Sequence, residues 1–158
     1  MEGTIDNLSI IVAMTHKMVI GKDNRMPWHI PEESKLFKRF TEGNTVLMGE
    51  NTYRSIGHPF KNRNNIVVSP AMPETEGIIV ARSLESALEI GESLGVQIFS
   101  AGGASIYRQT LPLATRLYIS YVKKNYEGDL FFPEFELENY IVEDYRDYPE
   151  FEFMKYRK

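Results

Sequence analysis

One acid in this sequence shares a helix face with groups of the opposite character. From Pro31 onward PEESKLFKRF has helical periodicity, with Glu33, Leu36, Phe37 and Phe40 at i, i+3, i+4 and i+7 on a single face. Glu32, Lys35, Lys38, Arg39 and Glu42 fall away from that face, where water can solvate them. Two readings of Glu33 stand. An acid in the first helical turn complements the macrodipole, and Pro31 suits the first helical position. A carboxylate flanked by aromatics in a cleft is also the kind of group whose pKa rises and which anchors a cationic or amidine-like ligand edge.

Three further features could carry chemistry. Trp28, the sole tryptophan, falls in a loop; it either anchors that loop or walls a pocket, with its indole N–H available to a water or ligand. SAGGASIY sets Gly102 and Gly103 between an apolar run and a helical one, where backbone amides can cradle a phosphate or form a tight turn. It does not match G-x-G-x-x-G. Arg63, in FKNRNN, is a solvated loop cation unless a carboxylate ligand is held bidentately nearby.

The elements that position these residues alternate along the chain. LSIIVAM (8–14), TVLMG (45–49), NIVVS (65–69) and GIIVA (77–81) read as buried strands, being short, apolar and rich in β-branched residues. ENTYRSIG reads as a short helix ending at Gly57, and SLESALEIGESLG as a helix with Ser83 as N-cap. VQIFSAGGASIYRQTLP repeats strand, turn and helix, and TRLYISYVK, YIVEDYRDY and FEFMKYRK close the chain as strands, the last two as an antiparallel ribbon around Pro149. Alternating strands and helices imply an α/β domain with a mixed, mostly parallel sheet and antiparallel edges at the C-terminal end. Ligands then bind where strands turn into helices at their carboxyl ends, which directs attention to MGENT, SAGGAS and the loop from Gly21 to Pro31.

Composition sets the outer bounds. The 158 residues suit one domain spanning 1–158, with no repeat or linker to divide it. A net charge of −4 argues against general attraction to nucleic acid. With no cysteine, thiol nucleophiles and disulfides are excluded, and His16, His29 and His58 lack metal-ligand spacing. The N-terminus carries no basic region ahead of its short apolar run, so a cytoplasmic protein is expected, with no membrane partner.

Taken in order, VIGKDNRMPWHIPEESKLFKRFT, VLMGENTYRSIG, NIVVS, SAGGASIY and YEGDLFFP resemble dihydrofolate reductase, and the match runs nearly end to end. The resemblance implies a three-layer α/β/α fold with an eight-stranded mixed, mostly parallel sheet, four helices and an antiparallel C-terminal strand. It implies NADPH-dependent reduction of 7,8-dihydrofolate to tetrahydrofolate for one-carbon metabolism, by hydride transfer to C6 and water-mediated protonation of N5. A monomer that also takes antifolate-type small molecules follows from the same resemblance.

Site residues follow one at a time. Glu33 would pair with the pteridine edge and raise the ring's basicity, while Trp28 helps position the water that carries the proton. Ile11, Val12 and Ala13 would line the pteridine and carboxamide sites. Ser34 and Phe37 would meet the substrate from the same helix as Glu33, and Ser120 would support the pteridine's carboxylate partner. Ile56 and Phe60 would contact the benzoyl-glutamate portion, whose α-carboxylate Arg63 would grip. On the cofactor side, Ile20, Gly21, Asn24 and Met26 belong to a loop that closes over the nicotinamide. Gly49, Asn51 and Thr52, with Ala101, Gly102, Gly103, Ala104, Ser105, Ile106 and Tyr107, would bind the nicotinamide and phosphates. Ser69 and Arg82 would face the far ribose. No metal is implied.

The match departs from the family in that far pocket. Glu50 and Asn51 stand where the family usually carries an arginine followed by histidine or lysine, and Pro70 where a basic or hydroxyl residue is common. An acid near a phosphate weakens binding about ten-fold, so NADPH is expected with a reduced preference over NADH, Arg82 supplying compensating charge. Ala101 stands where a larger aliphatic is frequent. The rival readings are a related pterin or pyrimidine reductase, against which Arg63 speaks, and a folate-binding module whose cofactor site Glu50 has impaired.

Overall fold

The computed structural model describes residues 3–23 and 25–158. They form the strands β1 (Ile5–Thr15), β2 (Val19–Gly21), β3 (Thr45–Gly49), β4 (Asn64–Val68), β5 (Ile79–Ala81), β6 (Ile98–Ser100), β7 (Ala114–Val122), β8 (Leu130–Phe131), β9 (Ile141–Asp147) and β10 (Phe151–Arg157). Between them lie the helices α1 (Pro31–Thr41), α2 (Glu50–Ile56), α3 (Leu84–Ser93) and α4 (Ala104–Thr110). Eight strands make one mixed sheet in the order β5-β4-β3-β6-β1-β7-β10-β9. All neighbours from β5 to β7 run parallel, and β10 runs antiparallel to both β7 and β9. This is the α/β class that the alternating pattern predicts.

The unbroken apolar runs are explained by burial on both faces. Along β3, Val46 and Met48 pack with Tyr53 of α2, whereas Leu47 between them joins the cluster that includes Ala87 and Leu88 of α3. Along β1, Val12 and Met14 lie in that second cluster with Tyr107 of α4 and Leu111 just beyond it, and Ala13 faces the other way, toward Leu36 of α1. Helices α1 and α2 therefore cover one face, α3 and α4 the other. Ser83 caps α3 as its position predicts, accepting a bond from the Ser86 N–H at 3.1 Å.

Three differences from the sequence reading have physical causes. GIIVA supplies only Ile79–Ala81 to the sheet, because Gly77 adopts φ +88°, a turn conformation. β10 is not an edge: it is hydrogen-bonded on both sides and buries Phe151 and Phe153, while β9 forms the border. Glu143 of β9 gathers the neighbouring cations, meeting Arg157 of β10 at 3.2 Å, Lys155 of β10 at 3.9 Å and Arg116 of β7 at 3.0 Å. Finally, β2 and β8 form a separate two-stranded ribbon, Val19 opposite Phe131, that no periodicity signals.

What positions Glu33 is the seating of α1. Leu36 is buried with Trp28, Ile30, Phe151 and Phe153, and Phe40 stacks on Phe153 with ring centroids 5.1 Å apart. Removing the Phe153 ring takes away the floor beneath the helix. Phe153→Ala is expected to lower the unfolding free energy by about 3–5 kcal/mol, measured by urea denaturation; a loss under about 1 kcal/mol contradicts this seating.

Candidate active site

The parallel strands all end at one edge of the sheet, and the candidate residues gather there. β1 leads into the loop before α1, β3 turns into α2, β6 turns into α4, and β7 leads into the loop 123–129. Glu33 sits on α1 above this edge and is only 9 % exposed. Burial raises its pKa to about 7, and among the described residues no side-chain partner offsets that cost. The predicted face is present: Glu33 and Leu36 are buried, Phe37 and Phe40 half-buried, and Glu32, Ser34, Lys35, Lys38 and Arg39 exposed.

Below Glu33 lies Tyr107, fully buried, whose hydroxyl donates to the Ile11 carbonyl at 2.8 Å. Its phenol is pushed far up by burial and, secondarily, by the nearby charge of Glu33. This contact brings α4, β1 and the acid together. Ile11 and Ala13 present side chains to the α1 side of β1, whereas Val12 packs into the opposite cluster, so only its backbone faces the cleft. Ser120 on β7 is buried, in register between Ala13 and Phe153, and so shares the α1 face.

Trp28 is buried against Ala13, Ile30 and Leu36, with the Tyr126 ring 5.5 Å away. Its indole N–H has no hydrogen-bond partner among the described residues. A buried donor in that state needs a polar guest. Farther along α1, Phe37 and Phe60 lie 5.2 Å apart and share a cluster with Ile56 and Ala101. Beside them Arg63 is held on three sides. Its Nε donates to Thr41 Oγ1 at 2.7 Å, Nη1 to the Lys61 carbonyl at 2.7 Å and Nη2 to the Lys38 carbonyl at 3.3 Å. Its fork is thus fixed at the mouth of an apolar trough, a geometry suited to a carboxylate.

The glycine turn after β6 fits close approach of a ligand to backbone. Gly102 has φ +102° and a cis bond to Gly103. A Cβ on Gly102 would lie 3.1 Å from the Tyr107 ring, and one on Gly103 3.3 Å from Thr52 Oγ1. Gly49 donates its N–H to the Gly102 carbonyl at 2.9 Å, joining the β3 turn to the β6 turn. Asn51 and Ser105 are exposed beside these turns, Thr52 and Ala104 half-buried, and Ile106 buried.

The loop from Gly21 to Pro27 is tied down by residues the motif reading did not single out. Asp129 donates its N–H to the Gly21 carbonyl at 3.0 Å, and its carboxylate accepts the Asp23 N–H at 3.3 Å. A Cβ on Gly128 would collide with the Gly21 carbonyl and Val19. Ile20 is half-buried in β2, Met26 is exposed, and Asn24 lies outside the described residues. Only the stretch YEGDLFFP hinted at this partner strand. Thr41, which fixes Arg63, and Tyr126, which fixes Trp28, gave no local signal.

The far pocket differs from expectation. Ser69 donates its hydroxyl to Glu50 Oε1 at 2.5 Å, so that hydroxyl is already committed. Arg54 donates to the other Glu50 oxygen at 2.7 Å. Arg82 is exposed and tied through Nη1 to the carbonyls of Ser69, at 3.2 Å, and Met72, at 2.6 Å.

Residues 7–157 match the family model described as dihydrofolate reductase. Dihydrofolate reductase of Bacillus subtilis (strain 168) is 39% identical over 160 residues, covering 96% of this chain and 94% of its own. That of Haemophilus influenzae is 41% identical over 150 residues, covering 95% and 88%. A solved dihydrofolate reductase from Enterococcus faecalis, complexed with NADP(H) and RAB-propyl, matches with a TM-score of 0.84 at 28% identity, covering 95% of each chain.

The buried acid has a measurable consequence for stability. Because its folded pKa of about 7 exceeds the ordinary carboxylate value, the folded state holds the proton more tightly than the unfolded chain. Stability is therefore lost as pH rises between those values. Glu33→Gln, which cannot ionise, is expected to be more stable than the natural protein by about 2–3 kcal/mol at pH 8. In urea denaturation that advantage should vanish below about pH 4.5; an equal difference at both pH values contradicts the assignment.

Proposed function

Because the chain belongs to the dihydrofolate reductase family, we propose that it reduces 7,8-dihydrofolate to tetrahydrofolate with NADPH, supplying one-carbon metabolism. The observation that carries this reading is the buried, unpartnered carboxylate of Glu33 at the sheet's carboxyl edge. A 2-amino-pterin presents two adjacent N–H donors on a flat apolar body, which suits one carboxylate above an apolar floor. Glu33 accepts both, with Ile11, Ala13 and Phe37 against the ring and Ser120 beneath. Ser34 borders the substrate from the exposed side of α1.

When bound, NADPH would supply the hydride for C6 of dihydrofolate. The chain's part is to bind, orient and exclude water. Gly102 and Gly103 would hold the cofactor's phosphates through their backbone, with Thr52 beside them, at a turn where a side chain on either glycine would crowd Tyr107 or Thr52. Gly49, Asn51, Ala101 and the segment Ala104–Tyr107 complete this wall. Ile20 and Gly21 at the end of β2 and Met26 in the loop beyond would cover the nicotinamide side, a role proposed for Asn24 as well. Trp28, with its free N–H, holds the water from which N5 takes its proton. Glu33 aids that transfer electrostatically, by making the ring more basic. Arg63 takes the substrate's α-carboxylate, Phe60 and Ile56 its benzoyl portion. We extend the reading to one domain over residues 1–158, acting as a cytoplasmic monomer and open to antifolate-type molecules. Among the described residues no helix is long and apolar enough to cross a membrane.

The defining test is spectrophotometric reduction of dihydrofolate by NADPH. The natural protein is expected to turn over, and Glu33→Gln to lose about a hundred-fold or more at pH 7, with the deficit shrinking as acid protonates the substrate directly. Turnover of the variant equal to that of the natural protein at pH 7 removes Glu33 from the mechanism.

Arg63 gives a second, independent handle. Arg63→Ala should weaken dihydrofolate binding about 10–100-fold, while dihydropteroate, which lacks the glutamate, should lose less than about three-fold. Equal losses for both compounds would show that Arg63 serves the fold instead.

A further inference from the structure

Three strand ends stand side by side next to the glycine turn. Gly49, Val68 and Ala81 are in register across β3, β4 and β5, so the residues that follow form a row: Glu50, Ser69 and Arg82. The row spans about 10 Å, two strand spacings. It begins where the Gly49 N–H meets the Gly102 carbonyl, at 2.9 Å. A dinucleotide resting its pyrophosphate on Gly102, Gly103 and Thr52 lays its adenosine half along this row, an extension that rests on the function proposed above.

The chemistry of the row is unequal. Glu50 is pinned through both oxygens, by Ser69 Oγ at 2.5 Å and Arg54 Nε at 2.7 Å, so it cannot swing away from a ligand. Its side chain is still 32% exposed, and a carboxylate has about four acceptor sites, two of them used here. Ser69 has spent its only proton on Glu50, while its oxygen accepts the Met72 N–H at 3.0 Å. It offers an incoming phosphate nothing. Arg54 is matched to Glu50. Among the described residues Arg82 is tied beside Ser69 through Nη1, at 2.6 Å to the Met72 carbonyl and 3.2 Å to that of Ser69, with Nε and Nη2 left to bind an anion.

We propose that this row reads the adenosine ribose in two ways, Glu50 accepting the 2′-hydroxyl of NADH and Arg82 binding the 2′-phosphate of NADPH, so that the enzyme uses both. In dinucleotide sites generally, an acid takes the ribose hydroxyl and an arginine the phosphate, one excluding the other. Here both are fixed within one row. The pinned acid repels the phosphate that the arginine attracts, and the two effects offset. Asn51 and Pro70 add no cation to either side of the row.

ADP-ribose and 2′-phospho-ADP-ribose, which lack the nicotinamide, isolate this end of the site. In calorimetric titration the natural protein should bind them with Kd values within about ten-fold of each other. Glu50→Gln removes the charge and keeps one acceptor oxygen for Arg54, its amide N–H turning to donate to Ser69 Oγ. It should shift the ratio at least about ten-fold toward the phosphorylated compound. Arg82→Ala should shift it the other way, with ADP-ribose unchanged. In the natural protein, kcat/KM for NADH should fall within about ten-fold of that for NADPH. A preference of about a hundred-fold or more for the phosphorylated compound, or a ratio that Glu50→Gln leaves unmoved, overturns the proposal. If neither compound binds while NADPH-dependent dihydrofolate reduction persists, the row is not the adenosine site and the function stands. Absence of that reduction with either cofactor sinks the function reading together with this one.

Discussion

The molecule is organised around a buried carboxylate that meets no cation among the described residues. Glu33 is only 9 % exposed, and burial holds its pKa up at about 7. Each unit of that displacement corresponds to about 1.4 kcal/mol, a sizeable fraction of the 5–15 kcal/mol that hold an ordinary domain together. Such a group persists where a ligand completes it. A flat ring with two donors on one rim restores the lost hydrogen bonds and lays its apolar faces against the same walls that excluded water. Affinity and desolvation thus arise from one arrangement.

The rest of the architecture serves to hold that group still. Phe40 on Phe153 and Leu36 among Trp28, Ile30 and Phe151 seat α1 on the sheet. Tyr107 braces the cleft from below through the Ile11 carbonyl. From this centre the carboxyl edge runs in two directions. Toward one side lie Phe37, Phe60 and the three-point hold on Arg63, which suit an elongated anionic tail. Toward the other lie the Gly102 turn and the row Glu50, Ser69, Arg82, along which the dinucleotide is proposed to lie.

Local chemistry was legible in the sequence wherever it is periodic. The mixed face of α1 could be counted, the Ser83 cap had its side chain in place, and doubly buried strands announced themselves as apolar runs. What stayed hidden depends on partners far apart in the chain. The ribbon of Val19–Gly21 with Leu130–Phe131 is too short for any period, and its register comes from the Asp129 and Phe132 amides. The interior place of β10 is set by β9 pairing along its outer side, where Lys155 and Arg157 meet Glu143. Ser69 read as a free hydroxyl because nothing local shows that the ends of β3 and β4 bring Glu50 against it. The hold on Arg63 likewise needs Thr41, a whole strand and helix away. Of the site, residue types were readable; which donors remained unspent was not.

Titrating Glu33 itself tests this account most directly. With carboxylate carbons isotopically labelled, NMR resolves the Glu33 resonance against a Glu33→Gln blank across the pH range. A midpoint at about 7 is predicted in the free protein, moving down by at least about one unit when folate is bound, because two donors then stabilise the anion. A midpoint near the ordinary carboxylate value, or one that folate leaves in place, would mean that the acid is solvated and anchors nothing.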